Sequence, residues 1–483
     1  MVINHSVILR TLGLLLVLLA AAMVVPLAVS LYYGDTGLRP LAVGAAATLG
    51  VGAVLVLLFR HSPQEIRSRS AFLLVTVAWF AITTCGAIPF YLSGGFQSFV
   101  DAWFESASGF TTTGASVLTD IEALPPSILL WRSMTQFLGG MGIIVLSLAI
   151  LPMLGVGGMD LFRAEVPGPT STKISARVRE TARALWLVYL VLAAVQAILL
   201  WVCGMSPFEA VNHAFTTLAT GGFSTQNESI AGFDSASIEV VTTVFMFLAG
   251  ANFVLHYRLL VDRDWSFFKD SELKFYALVV TGATLLLTIV VWGTQYRSLL
   301  DALRFCSFQV ISIISTTGYA SADYLLWGSF AQVLLLLLMV IGGCAGSTAG
   351  GVKCVRIMMM LKHAHRELYR MVHPKAVATL KLGRAPVSEQ VMAAILGFFF
   401  FYIVLAALTT AVISACGVDL VTALSSVISS LSNVGPGLGE VGPVLNYGGL
   451  PDLVKVLLSV CMIVGRLEIM TVLVLFTSDY WSS

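Results

Sequence analysis

Long uninterrupted apolar runs, separated by short polar and basic connections, set the pattern of this chain. Ten runs approach the 20 or so residues that a bilayer crossing requires: roughly 11–33, 41–59, 71–93, 133–155, 184–206, 240–257, 275–296, 328–352, 391–416 and 456–478. Between the later runs lie shorter apolar pieces, each opened by an acidic residue: Asp101, Glu209, Asp301 and Asp419. A helix of about a dozen residues, rising about 1.5 Å each, reaches only some 18 Å, half the bilayer. The pattern therefore predicts full spans alternating with half-membrane helices.

This alternation repeats. After two leading spans in residues 1–60, one unit recurs over 61–170, 171–265, 266–375 and 376–483: span, half-helix, glycine-bearing turn, span. The turns centre on Thr112-Thr113-Gly114, Thr220-Gly221-Gly222, Thr316-Thr317-Gly318 and Asn433-Val434-Gly435, with glycines 108, 96 and 117 residues apart. A single Thr-Thr-Gly is an ordinary helix stop. Four of them, each behind an acid-led half-helix, predict an all-α polytopic membrane protein with four pore units around a pseudo-fourfold axis.

Non-helical backbone survives at membrane depth only inside protein or along a watery cavity. Turns converging there present carbonyl oxygens that can replace a cation's water shell. The acid at each half-helix start complements its positive end, so the partially negative end points at the turn. Glycine supplies backbone angles that a Cβ resists. None of the four turns holds a carboxylate, which favours a weakly hydrated monovalent ion over calcium. The expected ligands are backbone and side-chain oxygens at the twelve turn residues named above. Asp323 and Glu440, just past their glycines, are expected to attract cations at the mouth.

Composition agrees with a lipid environment. Only 11% of residues are charged against 58% hydrophobic, where soluble chains carry about 25% charged. Net charge is +1, with no basic block suited to nucleic acid. The Lys and Arg residues gather in the connections near 60–70, 156–183, 257–274 and 361–388, which places those loops and both termini in the cytoplasm. The seven cysteines are scattered, without CxxC pairs, and support neither a metal site nor a disulfide framework.

These features resemble the Trk/Ktr/HKT superfamily of potassium transporters, specifically its bacterial Trk branch. Besides the four turns, the resemblance is carried by the two leading spans, Gly139-Gly140-Met141-Gly142, the 342–351 glycine-rich stretch and Gly465-Arg466-Leu467-Glu468. It implies a potassium filter at Gly114, Gly222, Gly318 and Gly435. The fourth turn departs most, having Asn433-Val434 where the others have a Thr-rich approach. The resemblance further implies potassium uptake across a bacterial inner membrane, a homodimer with one pore per subunit, and a ring of cytoplasmic nucleotide-binding regulatory subunits on the basic loops. It leaves proton-coupled and passive transport open.

Two features bear on gating. Gly342, Gly343, Gly346, Gly350 and Gly351 interrupt the eighth span, at about 1 kcal/mol of helix propensity each. The span is expected to unwind around Ser347, and the resemblance makes the unwound stretch a gate. A small-residue packing face would space its glycines every fourth position, which these doublets fit poorly. Arg466 lies near the middle of the last span, where a charge must face protein or water. Pairing with Glu468 is disfavoured because residues two apart on a helix diverge, so Arg466 is expected to face the pore beneath the filter.

Two other classes were weighed. A secondary transporter with broken helices would need inverted halves, whereas the four units share one orientation. A membrane enzyme would need a polar cluster within spans that are nearly bare of one.

Overall fold

The computed structural model describes residues 4–62, 68–149, 171–376, 378–383 and 385–482. Arg67, Arg163 and Arg384, which belong to the basic connections, and the end of the 133–155 run lie outside the described residues.

The leading pair, His5–Tyr33 and Leu38–Leu58, precedes the repeats. Its helices pack closely because Gly13 and Gly52 face one another. An added Cβ at either would lie 2.8–2.9 Å from the other's carbonyl oxygen. The outer helices of the four repeats are Ser68–Leu92, Ser171–Val202, Ser271–Val291 and Glu389–Ala415. Their apolar length is mostly uncovered: in the best windows of Leu38–Leu58 and Glu389–Ala415 only 22% and 28% of residues are buried. Such an apolar exterior fits lipid and not water.

The half-helices appear where the pattern placed them, as Phe99–Phe110, Pro207–Leu218, Leu299–Ile314 and Leu420–Ser432. The inner helices depart more from the expected spans. The 240–257 run is two helices, Ala236–Ala249 and Phe253–Leu260, bent by 102°. The 456–478 run is likewise split, Asp452–Arg466 and Met470–Phe476, again by 102°. The 328–352 run is helical only over Ser329–Ile341, and helix resumes at Cys354–Val372. Each break has a local cause. Asn252 caps the second segment of its pair by accepting from Val254 N at 2.9 Å. Glu468 and Ile469 adopt positive φ, 62° and 40°, which no α-helix accommodates. A two-stranded ribbon, pairing Lys381 with Pro386 and Leu382 with Ala385, is the one sheet among the described residues.

Candidate functional site

Each half-helix is capped at its outer end. Ser98, Ser206 and Ser298 accept from the backbone N of Asp101, Glu209 and Asp301, and Asp419 accepts from Val421 and Thr422. The acid therefore opens only the fourth helix; in the other three a serine is the cap and the acid stands three residues on, completing a capping box at Ser206. The inner ends stop identically. The N–H groups of Thr113, Gly221, Thr317 and Val434 reach back five residues to Ser108, Thr216, Ser312 and Ser429 at 2.8–2.9 Å. The N–H groups of Thr112, Thr220, Thr316 and Asn433 reach back three, at 2.9–3.3 Å. This is the Schellman arrangement, which needs a left-handed residue just past the helix. Thr112, Thr220, Thr316 and Asn433 supply it, with φ of 54–59°. A β-branched residue is a marked outlier there, and Asn is the side chain that tolerates it best. The fourth turn thus shares the geometry of the others.

Two residues later the chain reaches Gly114, Gly222, Gly318 and Gly435, all at positive φ of 76–105°. Here glycine is required by space as well as by angle. A Cβ on Gly114 would strike the carbonyl oxygen of Gly221, one on Gly222 that of Thr317, and one on Gly318 that of Val434. A Cβ on Gly435 would come within 2.6 Å of the Thr113 carbonyl oxygen. Each turn touches the next, and the fourth touches the first. The ring closes. One cavity of about 510 Å³ opens above it, lined by all four glycines and by Asp323. Glu440 is exposed and is not among the lining residues, which corrects its expected place at the mouth; Glu228 lines it instead.

A wall of buried polar groups holds the ring. Glu105 pairs with Arg132 at 2.6 Å, both under 4% exposed, and also accepts from Ser116 and Val117 just beyond the first turn. Arg132 donates to Ser224 O at 2.8 Å beyond the second turn and covers the Phe223 ring at 3.7 Å. One ion pair therefore ties two turns together. Gln136 occupies the space left by the absent side chain of Gly221, donating to Gly221 O at 2.8 Å and accepting from Phe223 N at 3.1 Å. Asn433 donates to Thr113 Oγ1 at 3.0 Å and to Met462 O at 2.9 Å. The spans are thus less bare of polar groups than their sequence suggested. Arg132 and Gln136 were visible as polar residues entering an apolar run, but their partners lie on the preceding half-helix and in the second repeat.

Beneath the ring, the glycine-rich stretch leaves the helical path at Gly342 (φ 72°) and turns again at Gly346 and Gly351 (74° and 75°). Gly350 N donates to Thr316 Oγ1 at 2.7 Å, and a Cβ on Gly350 would strike Ser432 O. Thr348 Oγ1 donates to Leu218 O at 2.9 Å, the end of the second half-helix. The stretch therefore contacts the bases of the second, third and fourth turns. Arg466, 3% exposed, ends its helix at the break and donates to Thr348 O at 2.7 Å. Its Nε and Nη2 have no hydrogen-bond partner among the described residues. Glu468 pairs with Arg356 at 2.5 Å and not with Arg466. One carboxylate ties the stretch to the helix that follows it: Glu272 accepts from Ala345 N at 2.7 Å and from Val355 N at 3.0 Å.

Against known proteins, the TrkH family model, described as a cation transport protein, matches residues 41–483. The Trk system potassium uptake protein TrkH of Halomonas elongata is 43% identical over 98% of both chains, and that of Escherichia coli K12 41% over 98% of both. The crystal structure of the potassium transporter TrkH from Vibrio parahaemolyticus superposes with a TM-score of 0.92 at 38% identity, covering 99% of this chain and 100% of that one.

The chain belongs to the TrkH cation transport family. In this TrkH-family chain the twelve turn residues singled out from the sequence come together in one ring. Gly342, Gly343, Gly346, Ser347, Gly350, Gly351 and Arg466 come together below it. Glu105, Gln136 and Glu272 were not singled out by the sequence, because each matters through a contact distant along the chain. Gly139 and Gly465 also gain a reason. Each lets an inner helix lie against the end of a half-helix, at Phe110 O and Leu431 O, where a Cβ would collide.

Proposed function

We propose that this chain carries potassium inward across a bacterial inner membrane, through a filter whose ligands are the oxygens of the ring. The observation that supports this most is the closed cycle of contacts from turn to turn. In that cycle the Thr113, Gly221, Thr317 and Val434 carbonyl oxygens each lie against the glycine of a neighbouring turn, and in this reading they form one layer of ligands. Four half-helices aim their C-termini at that layer, each worth roughly half a negative charge. Thr112, Thr220, Thr316 and Asn433 sit one step further in. A dehydrated monovalent cation finds there a set of uncharged oxygens matching its lost waters, and the Schellman stops hold those oxygens in place. A smaller ion would have to draw them inward against the backbone contacts that fix them.

The glycine-rich stretch, with Arg466, is the gate in this reading: it lies across the inner mouth and must move for ions to pass. The termini and basic loops face the cytoplasm, where a nucleotide-binding regulatory ring docks on a homodimer with one pore per subunit. The relatives' names, as potassium uptake proteins, support the ion assigned here.

Rubidium uptake into vesicles containing the purified chain tests this. External potassium should compete for uptake at concentrations where sodium does not. Equal competition by sodium, or uptake no greater than in empty vesicles, would overturn it.

A further inference from the structure

Lys353 has no place in the ion path described so far, yet its position is unusual on three counts. It follows the last glycine pair of the stretch and is 8% exposed. It holds φ of 81°, a backbone state that costs a non-glycine residue energy and persists where surroundings enforce it. Its ammonium donates to the carbonyl oxygen of Ala349. The adjacent carbonyl, Thr348 O, takes Arg466, and the next residue, Gly350, bonds to the filter's Thr316. Two cationic groups thus occupy consecutive carbonyls directly beneath the ring. Among the described residues Lys353 forms no ion pair within 4 Å, Arg466 forms none, and the nearby carboxylates Glu272 and Glu468 are engaged elsewhere.

We infer that Lys353 is a tethered surrogate for the transported ion: in the closed state its ammonium fills a carbonyl site under the filter that a potassium ion would otherwise occupy. An ammonium and a dehydrated potassium ion carry the same charge and seek the same neutral oxygens, so the carbonyl that holds one can hold the other. Arg466 approaches from the last inner helix, whereas Lys353 belongs to the stretch itself, four residues beyond its acceptor. Arg466 therefore stays behind when the stretch withdraws, and Lys353 leaves with it. Closure is then electrostatic as well as steric, and opening removes the blocking charge along with the obstruction.

This rests on the gate reading, and the experiment separates the two. K353M, K353Q and K353R are compared with wild type and with a chain lacking Gly346–Ala349, all as purified full chains in planar bilayers and vesicles without regulatory subunit. One unit charge removed from about 10 Å at intermediate dielectric changes ion occupancy by about tenfold. K353M and K353Q should therefore raise basal potassium current by about tenfold and flatten its voltage dependence, and K353R should restore both. The preference for potassium over sodium should be unchanged in all three. K353Q keeps a hydrogen-bond donor for Ala349 O, so it reports on charge even where K353M does not fold. Wild-type currents in K353Q alongside a raised current in the deletion would overturn the surrogate role and leave the gate standing. A raised current that K353R fails to reverse would also overturn it, since lost packing and not lost charge would then be responsible. An unaltered current in the deletion would sink the gate reading itself.

Discussion

The ring and the stretch beneath it are both non-helical, glycine-bearing backbone at membrane depth, yet they are built in opposite ways. In the ring the left-handed residues that end the half-helices are Thr112, Thr220, Thr316 and Asn433. The three threonines resist the conformation and hold it only because two backbone bonds and a neighbouring turn enforce it. In the stretch the left-handed residues are glycines, Gly342, Gly346 and Gly351, with Lys353 the exception. Glycine adopts that state and its mirror with equal ease. The Schellman bonds of the ring run back into each half-helix; the stretch is held by scattered bonds to other elements, backbone ones such as Cys344 N to Gly250 O at 2.8 Å and Phe253 N to Gly346 O at 3.0 Å, and side-chain ones to Glu272, Thr316 and Arg466. In the reading proposed here, strain held in place suits a rigid filter, and permissive backbone suits an element that can let go.

The contrast breaks most severely if the ring's wall is not what holds it. R132L leaves the buried Glu105 carboxyl without its charged partner, a loss of about 3–5 kcal/mol. The purified chain should melt several degrees lower, with rubidium uptake lost. An unchanged melting curve would mean that the ion pair does not fix the first two turns. Next comes the ring's space. G318A sets a Cβ against Val434 O and 2.8 Å from Pro436 Cδ, and neither can yield without moving the fourth turn. At about 3 kcal/mol, the upper range for overpacking, ion occupancy falls roughly a hundredfold. Rubidium uptake and potassium-over-sodium competition measure it, and wild-type behaviour in both would refute the closed ring. The stretch should answer differently. Removing Gly346–Ala349 ought to raise basal uptake about tenfold, 1.4 kcal/mol, while ion preference is kept; a change of preference would show that the two regions are not separate devices.

Much of this was legible along the chain because it is periodic or local. Apolar length gave the spans, and four acid-led half-segments before Thr/Asn and Gly gave the turns. The doublets after Ile341 gave the break in the eighth span. What escaped was set by contacts between elements far apart along the chain. Nothing near Arg132 names Glu105 on the preceding half-helix as its partner, or Ser224 in the next repeat. The bend at Leu467–Ile469 hides in an apolar run, because nothing in the run announces the positive φ of Glu468 and Ile469, and the partner of Glu468, Arg356, lies 112 positions earlier in the chain. The serine caps at Ser98, Ser206 and Ser298 are legible as Ser-x-x-Asp/Glu, with the acid three residues on. The fourth turn looked irregular only because Thr-to-Asn was read as a loss of pattern, when Asn is the better fit to the backbone angle.

That last point yields the finest test of how the ring's strain is held. Thr112 and Asn433 have the same φ of 54° and opposite circumstances. Thr112 Oγ1 is buried with no hydrogen-bond partner among the described residues, so its hydroxyl contributes nothing to offset the left-handed backbone. Asn433 suits that backbone and adds bonds to Thr113 Oγ1 and Met462 O. N433T should therefore forfeit about 1 kcal/mol for each lost hydrogen bond and about 1 kcal/mol more for the β-branched left-handed residue. T112N should relieve the backbone and remain within about 1 kcal/mol of wild type in stability. Thermal melting of the two purified variants reads the difference, and the potassium-over-sodium preference should weaken in N433T alone. If N433T melts with wild type while T112N falls, the strain at these four positions is not being carried by the side chains, and the rigidity of the ring must come from the backbone contacts between turns.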